Sequence, residues 1–222
     1  MVPKAILFDM DGVLVNSEPI HEKAQEIVCQ QYGLDVPKTV TPTFKGWTET
    51  RVYEYISRHF GTGSATVEKL IAAKHSVFAS LADELQLMDG AMDLLQYVND
   101  QGLPLGLVTS ATKSDQQRAF RNLGLISYFS SIVTVEDVTY PKPDPEPYIK
   151  GADGLGFAPL ECLVIEDSQY GIQSAMEAGC HTFGVATTFS YDVLEHVGAH
   201  GVFHSIRDIE LYLRELFSLN TP

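Results

Sequence analysis

Short apolar runs alternate with stretches of helical period along most of this chain. Lys4 to Asp9 is the first run, followed by LGLVTS at 105–110, IVTV at 132–135, CLVIED at 162–167 and TFGVA at 182–186. Val202–Phe203 makes a shorter sixth. These runs are apolar at successive positions, so both faces of each strand must be covered, as in a parallel sheet between helices. The intervening segments carry the helical spacing: Ala91, Leu94, Leu95 and Val98 fall at i, i+3, i+4 and i+7, and Ile172, Ala175, Met176 and Gly179 repeat it. Ile206, Ile209, Leu213, Leu216 and Phe217 give a C-terminal helix, and Gly102, Gly124 and Gly179 stand where helices should end. The pattern predicts a Rossmann-like α/β core, a parallel sheet with helices on both faces.

One stretch breaks the alternation. Between about Ser17 and Leu87 only helical signals occur. Ile20, Ala24, Ile27 and Val28 line one stripe, Thr48 is placed to cap a helix running through Phe60, and Ser64 to cap another. A helical block between the first two strands reads as an insertion. The expected organisation is a catalytic core of 1–16 and 88–222 and a small helical cap of 17–87. The chain would cross twice, near Val15–Ser17 and Leu87–Ala91, and paired crossings suit a hinge.

Charge narrows the partners. The 222 residues carry a formal net charge of −14, which disfavours nucleic acid and anionic membrane surfaces. No apolar run approaches the ~20 residues of a membrane span. The N-terminus reads as strand almost at once, without a basic stretch before an apolar one, so a cytoplasmic location is expected. Cys29, Cys162 and Cys180 are odd in number and widely spaced, matching neither a zinc pattern nor a disulfide framework; reduced, buried thiols are expected.

The polar residues that stand out follow the strands. Asp9 and Asp11 come after the first, Thr109 and Ser110 after the second, Lys142 in the YPKPDPEPY loop after the third, and Glu166 and Asp167 after the fourth. Ligands of open α/β sheets sit beyond the carboxyl ends of the strands, so a parallel sheet would gather these side chains at one rim. Four carboxylates there suit a hard cation such as magnesium, which takes oxygen ligands and often bridges to phosphate. The segment SATKSD offers hydroxyls and a helix N-terminus for an anion, and Lys142 adds a point charge. Each residue also has a plainer explanation: the aspartates as turn residues, Thr109–Ser110 as an N-cap, Lys142 as a solvated loop residue, Glu166 as a helix-start acid.

Taken together, DMDGV, the strand-ending TS, the lysine of KPDP and EDS resemble the four motifs of the haloacid dehalogenase-like hydrolases, in order and across nearly the whole chain. The insertion resembles the helical cap of the group containing phosphatases and β-phosphoglucomutase. The resemblance implies that Asp9 is the nucleophile, forming an aspartyl phosphate, and Asp11 the general acid and base. It implies magnesium held by Asp9, the Asp11 carbonyl and Asp167, with Glu166 helping directly or through water. Thr109, Ser110 and Lys142 would grip the transferring oxygens. The presence of Asp11, which dehalogenases and phosphonatases of the family lack, points to phosphoryl transfer from or between oxygens.

In the cap, the resemblance implies substrate contacts from His21 and Lys74, although an ordinary helix histidine and a solvated helix lysine explain them as well. KGWTETR resembles the loop where β-phosphoglucomutases carry an arginine for a second phosphate; Glu49 occupies that slot, and a carboxylate repels a second phosphate. Arg51 is near enough in sequence to reach in instead. Trp47 either stacks on a sugar or packs the cap. Ser17 either aids the hinge or caps the first helix of the insertion. The leading expectation is a magnesium-dependent phosphatase of a small phosphorylated metabolite, such as a sugar or polyol phosphate, acting as a monomer. A β-phosphoglucomutase-like isomerase is the alternative, and an inactive phosphate-binding protein a remote one.

Overall fold

A computed structural model describes residues 2–44, 47–61 and 65–219. Its internal contacts divide the chain into two compact units, Met1–Asn16 with Gln86–Pro222, and Ser17–Leu85.

The first unit is built on strands β1 (Ala5–Phe8), β4 (Leu105–Val108), β5 (Ser131–Val133), β6 (Cys162–Glu166), β7 (His181–Val185) and β8 (Gly201–Phe203). They form one sheet in the order β5-β4-β1-β6-β7-β8, and every neighbouring pair is parallel. All four residues of β1 are fully buried. Ala5 and Leu7 join Val108, Val164, Tyr148, Ala152 and Ala175 in one apolar cluster. Successive side chains alternate faces in a strand, so Ile6 and Phe8, equally buried, face the other side. The sheet is therefore covered on both faces, and this is why its strands read as continuous apolar runs. The covering helices are α4 (Ala91–Asp100), α5 (Lys113–Leu123), α6 (Glu146–Leu155), α7 (Gln169–Glu177), α8 (Tyr191–Val197) and α9 (Ile206–Ser218). Cys162 and Cys180 belong to the buried cluster, and all three cysteines are free and buried.

A short antiparallel pair, β2 (Val15–Asn16) with β3 (Gln86–Leu87), closes this unit where the chain leaves and returns, pairing Val15 with Leu87. Two-residue strands carry no readable period, and the pairing draws Gln86 and Leu87 into the sheet-bearing unit.

The second unit holds α1 (Glu18–Gln31), α2 (Glu49–Phe60) and α3 (Val67–Ser80). Val28, Leu34, Phe44, Val52, Ile56 and Leu70 make its core. Thr48 caps α2, its hydroxyl accepting from the Arg51 amide at 3.3 Å, as the spacing predicts. Ser64 lies outside the described residues; α3 is capped by Thr66, which accepts from the Lys69 amide at 3.3 Å. Ser17 occupies the N-cap position of α1 but makes no capping bond with its side chain, so capping does not explain its burial.

Candidate active site

β1 lies between β4 and β6 in the parallel sheet, so the residues leaving these three strands emerge side by side. The carboxylates of Asp9, Glu166 and Asp167 offer oxygens all within 4.8 Å of one another. Lys142 reaches the same place from the loop before α6. Its Nζ donates to Asp9 Oδ1 at 2.7 Å, to Glu166 Oε1 at 2.7 Å and to the Val108 carbonyl at 2.9 Å. An ammonium has three donors, so all are used. With its side chain 6 % exposed, Lys142 is a buried counter-ion rather than a solvated loop lysine.

Glu166 is the fixed centre of this arrangement. It is 0 % exposed and accepts five hydrogen bonds. Oε1 takes Lys142 and, at 2.9 Å, the hydroxyl of Tyr148. Oε2 takes the amides of Asp167 and Ser168 and the Ser168 hydroxyl, all within 3.0 Å. The first turn of α7 crowds this carboxylate: a Cβ on Gly171 would fall 1.7 Å from Oε1. Glu166 thus orients Lys142 on one oxygen and anchors the start of α7 with the other.

The charges are unequal. Burial disfavours an ionised Asp9 and, partly offset by Lys142, pushes its carboxyl up to about 7. Burial, with the neighbouring charges of Glu166 and Asp9, pushes Asp167 well above the carboxylate range. Asp11 is close enough for its own charge to raise both. Glu166 goes the other way: burial opposes its ionisation, but Lys142 outweighs it and holds the carboxyl low. Burial likewise works against charged Lys142, yet Asp9 and Glu166 hold it above its ordinary range. One ammonium therefore faces four carboxyl groups. The donor set, oxygens of Asp9 and Asp167 with Glu166 beside them, fits a hard divalent cation. Gly12 permits the close approach: its φ is +77°, and a Cβ there would lie 1.9 Å from Asp167 Oδ2.

Thr109 is buried beside this cluster, its amide donating to the Val133 carbonyl and its hydroxyl accepting from the Ala111 amide at 3.0 Å. Ser110 is exposed in the following bend. Neither caps a helix. Thr112 caps α5, accepting from the Asp115 amide at 3.2 Å, while the Lys113 amide donates to Glu136 at 2.9 Å. The first amides of α5, which the SATKSD segment suggests as an anion cradle, are thus engaged within the protein.

His21 and Lys74 belong to the helical unit. Lys74, 8 % exposed, is not a solvated helix lysine: it donates to Glu49 Oε1 at 2.5 Å, and His75 Nε2 lies 2.6 Å from Oε2. His21 stacks on Phe78 with ring centroids 4.2 Å apart. Arg51 lies over the Trp47 ring, 3.9 Å from its centroid, and Trp47 packs against Phe44 and Tyr55. Residues that the motifs do not announce are Tyr148, which completes Glu166, and Thr188, which hydrogen-bonds Asp167. Tyr148 closes the KPDPEPY segment, but on α6 it reads as one more apolar position.

The chain as a whole is similar to known proteins. The chain is 33 % identical over 210 residues to hexitol phosphatase A of Escherichia coli (strain K12), covering 93 % of each chain. It is 31 % identical over 193 residues to validoxylamine A 7'-phosphate phosphatase of Streptomyces hygroscopicus subsp. limoneus, covering 86 % of this chain and 89 % of that one. The solved structure of a β-phosphoglucomutase-like protein from Thermotoga maritima superposes with a TM-score of 0.84 at 27 % identity, covering 96 % of this chain and 99 % of that one. The haloacid dehalogenase-like hydrolase family matches residues 6–185, and the chain belongs to that family.

Proposed function

We propose that this phosphoric monoester hydrolase is a magnesium-dependent phosphatase of a small phosphorylated sugar or polyol. The observation that carries the reading is the buried Asp9 carboxylate, held at the strand end by Lys142 against Asp167 and Glu166. An Asp9 oxygen attacks phosphorus, the bond from phosphorus to the ester oxygen breaks, and the Asp11 carboxyl gives its proton to the leaving alkoxide. Asp11, now a carboxylate, takes a proton from water; that water's oxygen attacks the aspartyl phosphate, releasing inorganic phosphate and free Asp9. Thr109 and Ser110 hold the transferring oxygens, and Lys142, fixed on Asp9, Glu166 and the Val108 carbonyl, lends them its charge. Asp9, Asp167 and the Asp11 carbonyl would hold the magnesium, with Glu166 fixed beside them as the residue that orients Lys142. Bound there, the cation supplies positive charge that offsets the phosphate's own.

The substrate class draws on two supports. The relatives named above are called phosphatases of hexitol and of validoxylamine A 7'-phosphate, both rich in hydroxyls. In the helical unit Glu49 is tied to Lys74 and His75, an arrangement that favours a substrate with one phosphate over the bisphosphate cycle of a mutase. The same reading has the protein act as a cytoplasmic monomer, for which gel filtration is the check on size. Among the described residues no helix is long and apolar enough to cross a membrane.

The test is hydrolysis of a generic aryl phosphate with and without magnesium. Turnover should require the metal, and Asp9→Asn should lower kcat by about 10⁴-fold or more with an unchanged circular dichroism spectrum. An Asp9→Asn protein that hydrolyses at the normal rate removes the nucleophile assignment. Efficient isomerisation of β-glucose 1-phosphate, primed with a bisphosphate, would replace the phosphatase reading by the mutase one.

A further inference from the structure

The clustered carboxylates of the sheet-bearing unit are not held alike. The donors of Lys142 go to Asp9, Glu166 and the Val108 carbonyl. Glu166 is fixed further by Tyr148 and by the start of α7. An ammonium has only three donors, so none is left for Asp167. The Asp167 carboxylate accepts instead from the hydroxyl of Thr188. Thr188 is half-buried in the turn that follows β7, and it belongs to none of the motifs that mark the site.

That turn also reaches the loop after β1, although β6 lies between the two strands. The hydroxyl of Thr187 donates to the Gly12 carbonyl at 2.6 Å, and the Gly12 amide donates to the Val15 carbonyl at 2.8 Å. A peptide group is planar, so the second bond fixes the direction of the Asp11 carbonyl as well. Gly12 leaves the space in which these groups meet. A Cβ on it would fall 1.9 Å from Asp167 Oδ2 and 2.7 Å from Thr188 Oγ1. One turn thus touches both the loop that carries Asp9 and Asp11 and the acid that follows β6.

An aspartate side chain rotates about two torsions, and a cation needs its oxygen in one direction. A donor that orders the carboxylate beforehand removes that cost from binding. Hydroxyls and amides behind metal-ligating carboxylates typically raise metal affinity for this reason. We propose that Thr188 is a positioning residue: its hydroxyl holds the Asp167 carboxylate in the orientation that a divalent cation requires, on a turn that Thr187 pins to the loop of Asp9 and Asp11. The proposal deepens the phosphatase reading, on which it rests for the assignment of magnesium to Asp9 and Asp167.

The experiment is calorimetric titration of the full-length protein with magnesium chloride alone, with no phosphate ester present. Thr188→Val keeps the shape of the side chain and removes the donor; Thr188→Ser keeps the donor and removes a methyl group. The magnesium dissociation constant should rise about ten-fold or more in Thr188→Val and stay within about two-fold of the wild type in Thr188→Ser. Thr188→Ala removes the donor without adding a methyl group beside Asp167, and should match valine if valine disturbs the turn. In the aryl phosphate assay, the magnesium concentration for half-maximal turnover should rise in step, and most of the lost rate should return as magnesium is raised to saturation. Wild-type affinity in a folded variant without the donor overturns the proposal. So does an equal loss in Thr188→Ser, which would trace the effect to packing. A wild type that binds no magnesium and hydrolyses without it removes the magnesium reading itself, so the two failures are told apart by the wild-type protein.

Discussion

Among the described residues two lysine side chains are largely enclosed, Lys142 in the sheet-bearing unit and Lys74 in the helical one, and they are held in opposite ways. Lys142 spends every donor on the core: two carboxylates and a carbonyl, with Asp9 and Glu166 almost fully enclosed. Lys74 pairs with Glu49, whose side chain is 34 % exposed and which keeps His75 as a second partner. The first site leaves carboxylate charge uncompensated and suits a cation and phosphoryl chemistry. The second neutralises its cation with a carboxylate that is itself shared with His75. Burying a charged group is common to both; what remains uncompensated afterwards separates them.

Replacing each lysine with methionine is the strongest way to break that contrast. Lys142→Met strands two buried carboxylates without their counter-charge. Unfolding free energy should fall by about 3–5 kcal/mol, and aryl phosphate turnover by about 10²–10³-fold, as for loss of a preorganised electrostatic contact. Lys74→Met leaves Glu49 half in solvent with His75 beside it, and should cost about 1 kcal/mol. Denaturant titrations of the two variants side by side check this. Similar losses from both would show that the two pairs do the same work, and a Lys142→Met enzyme of near-normal rate would end the case for that residue in the reaction.

Acid sharpens the comparison next. The His21 ring is held neutral down to about 3, chiefly by burial and then by Lys74, with Glu49 pulling the other way and His75 adding to Lys74. A histidine whose folded pKa is depressed gives stability that is complete above its unfolded value, near 6.5, and is lost as pH falls toward the folded value. Between pH 7.5 and 5.0 the wild type should lose about 2 kcal/mol more than His21→Leu, which has no ring to protonate. Unfolding midpoints of both proteins at the two pH values decide it; parallel losses would mean that the ring is protonated in the folded protein.

The strands and their chemistry were open to sequence reading for one physical reason. β1, β4 and β6 are fully buried, so their apolar runs end abruptly where polar residues begin, and those residues are the site. Other features leave no such trace. β2 and β3 have two residues each, too few for any period. The sequence offers Thr109–Ser110 as a cap, and only the backbone shows that Thr112 takes that position. A cavity beside Tyr53 draws on α1, α2 and α3, and the meeting of three helix faces is not written in any one of them. Tyr148 hides in the apolar stripe of α6, because burial of its ring and donation by its hydroxyl satisfy two demands at one position.

That double role makes Tyr148 the finest probe. Among the described residues two tyrosines are buried, one in each unit, and their hydroxyls differ. Tyr148 donates to Glu166 at 2.9 Å while its ring lies under Lys142, 4.9 Å from Nζ to the centroid; Tyr53 donates to nothing among the described residues. Tyr148→Phe keeps the ring and the cation contact and removes one of five donors to Glu166. The remaining four limit the stability loss to about 1 kcal/mol. Glu166 Oε1 would then be held by Lys142 alone, loosening the ammonium that faces Asp9. We expect kcat to fall several-fold with KM unchanged, since the change disturbs the ammonium held against Asp9 and leaves the substrate's own contacts alone. A rise in KM at constant kcat would place Tyr148 in binding instead. A fully wild-type rate at reduced stability would make its hydroxyl purely structural. In either case the contrast between the tyrosines would hold for folding and fail for catalysis.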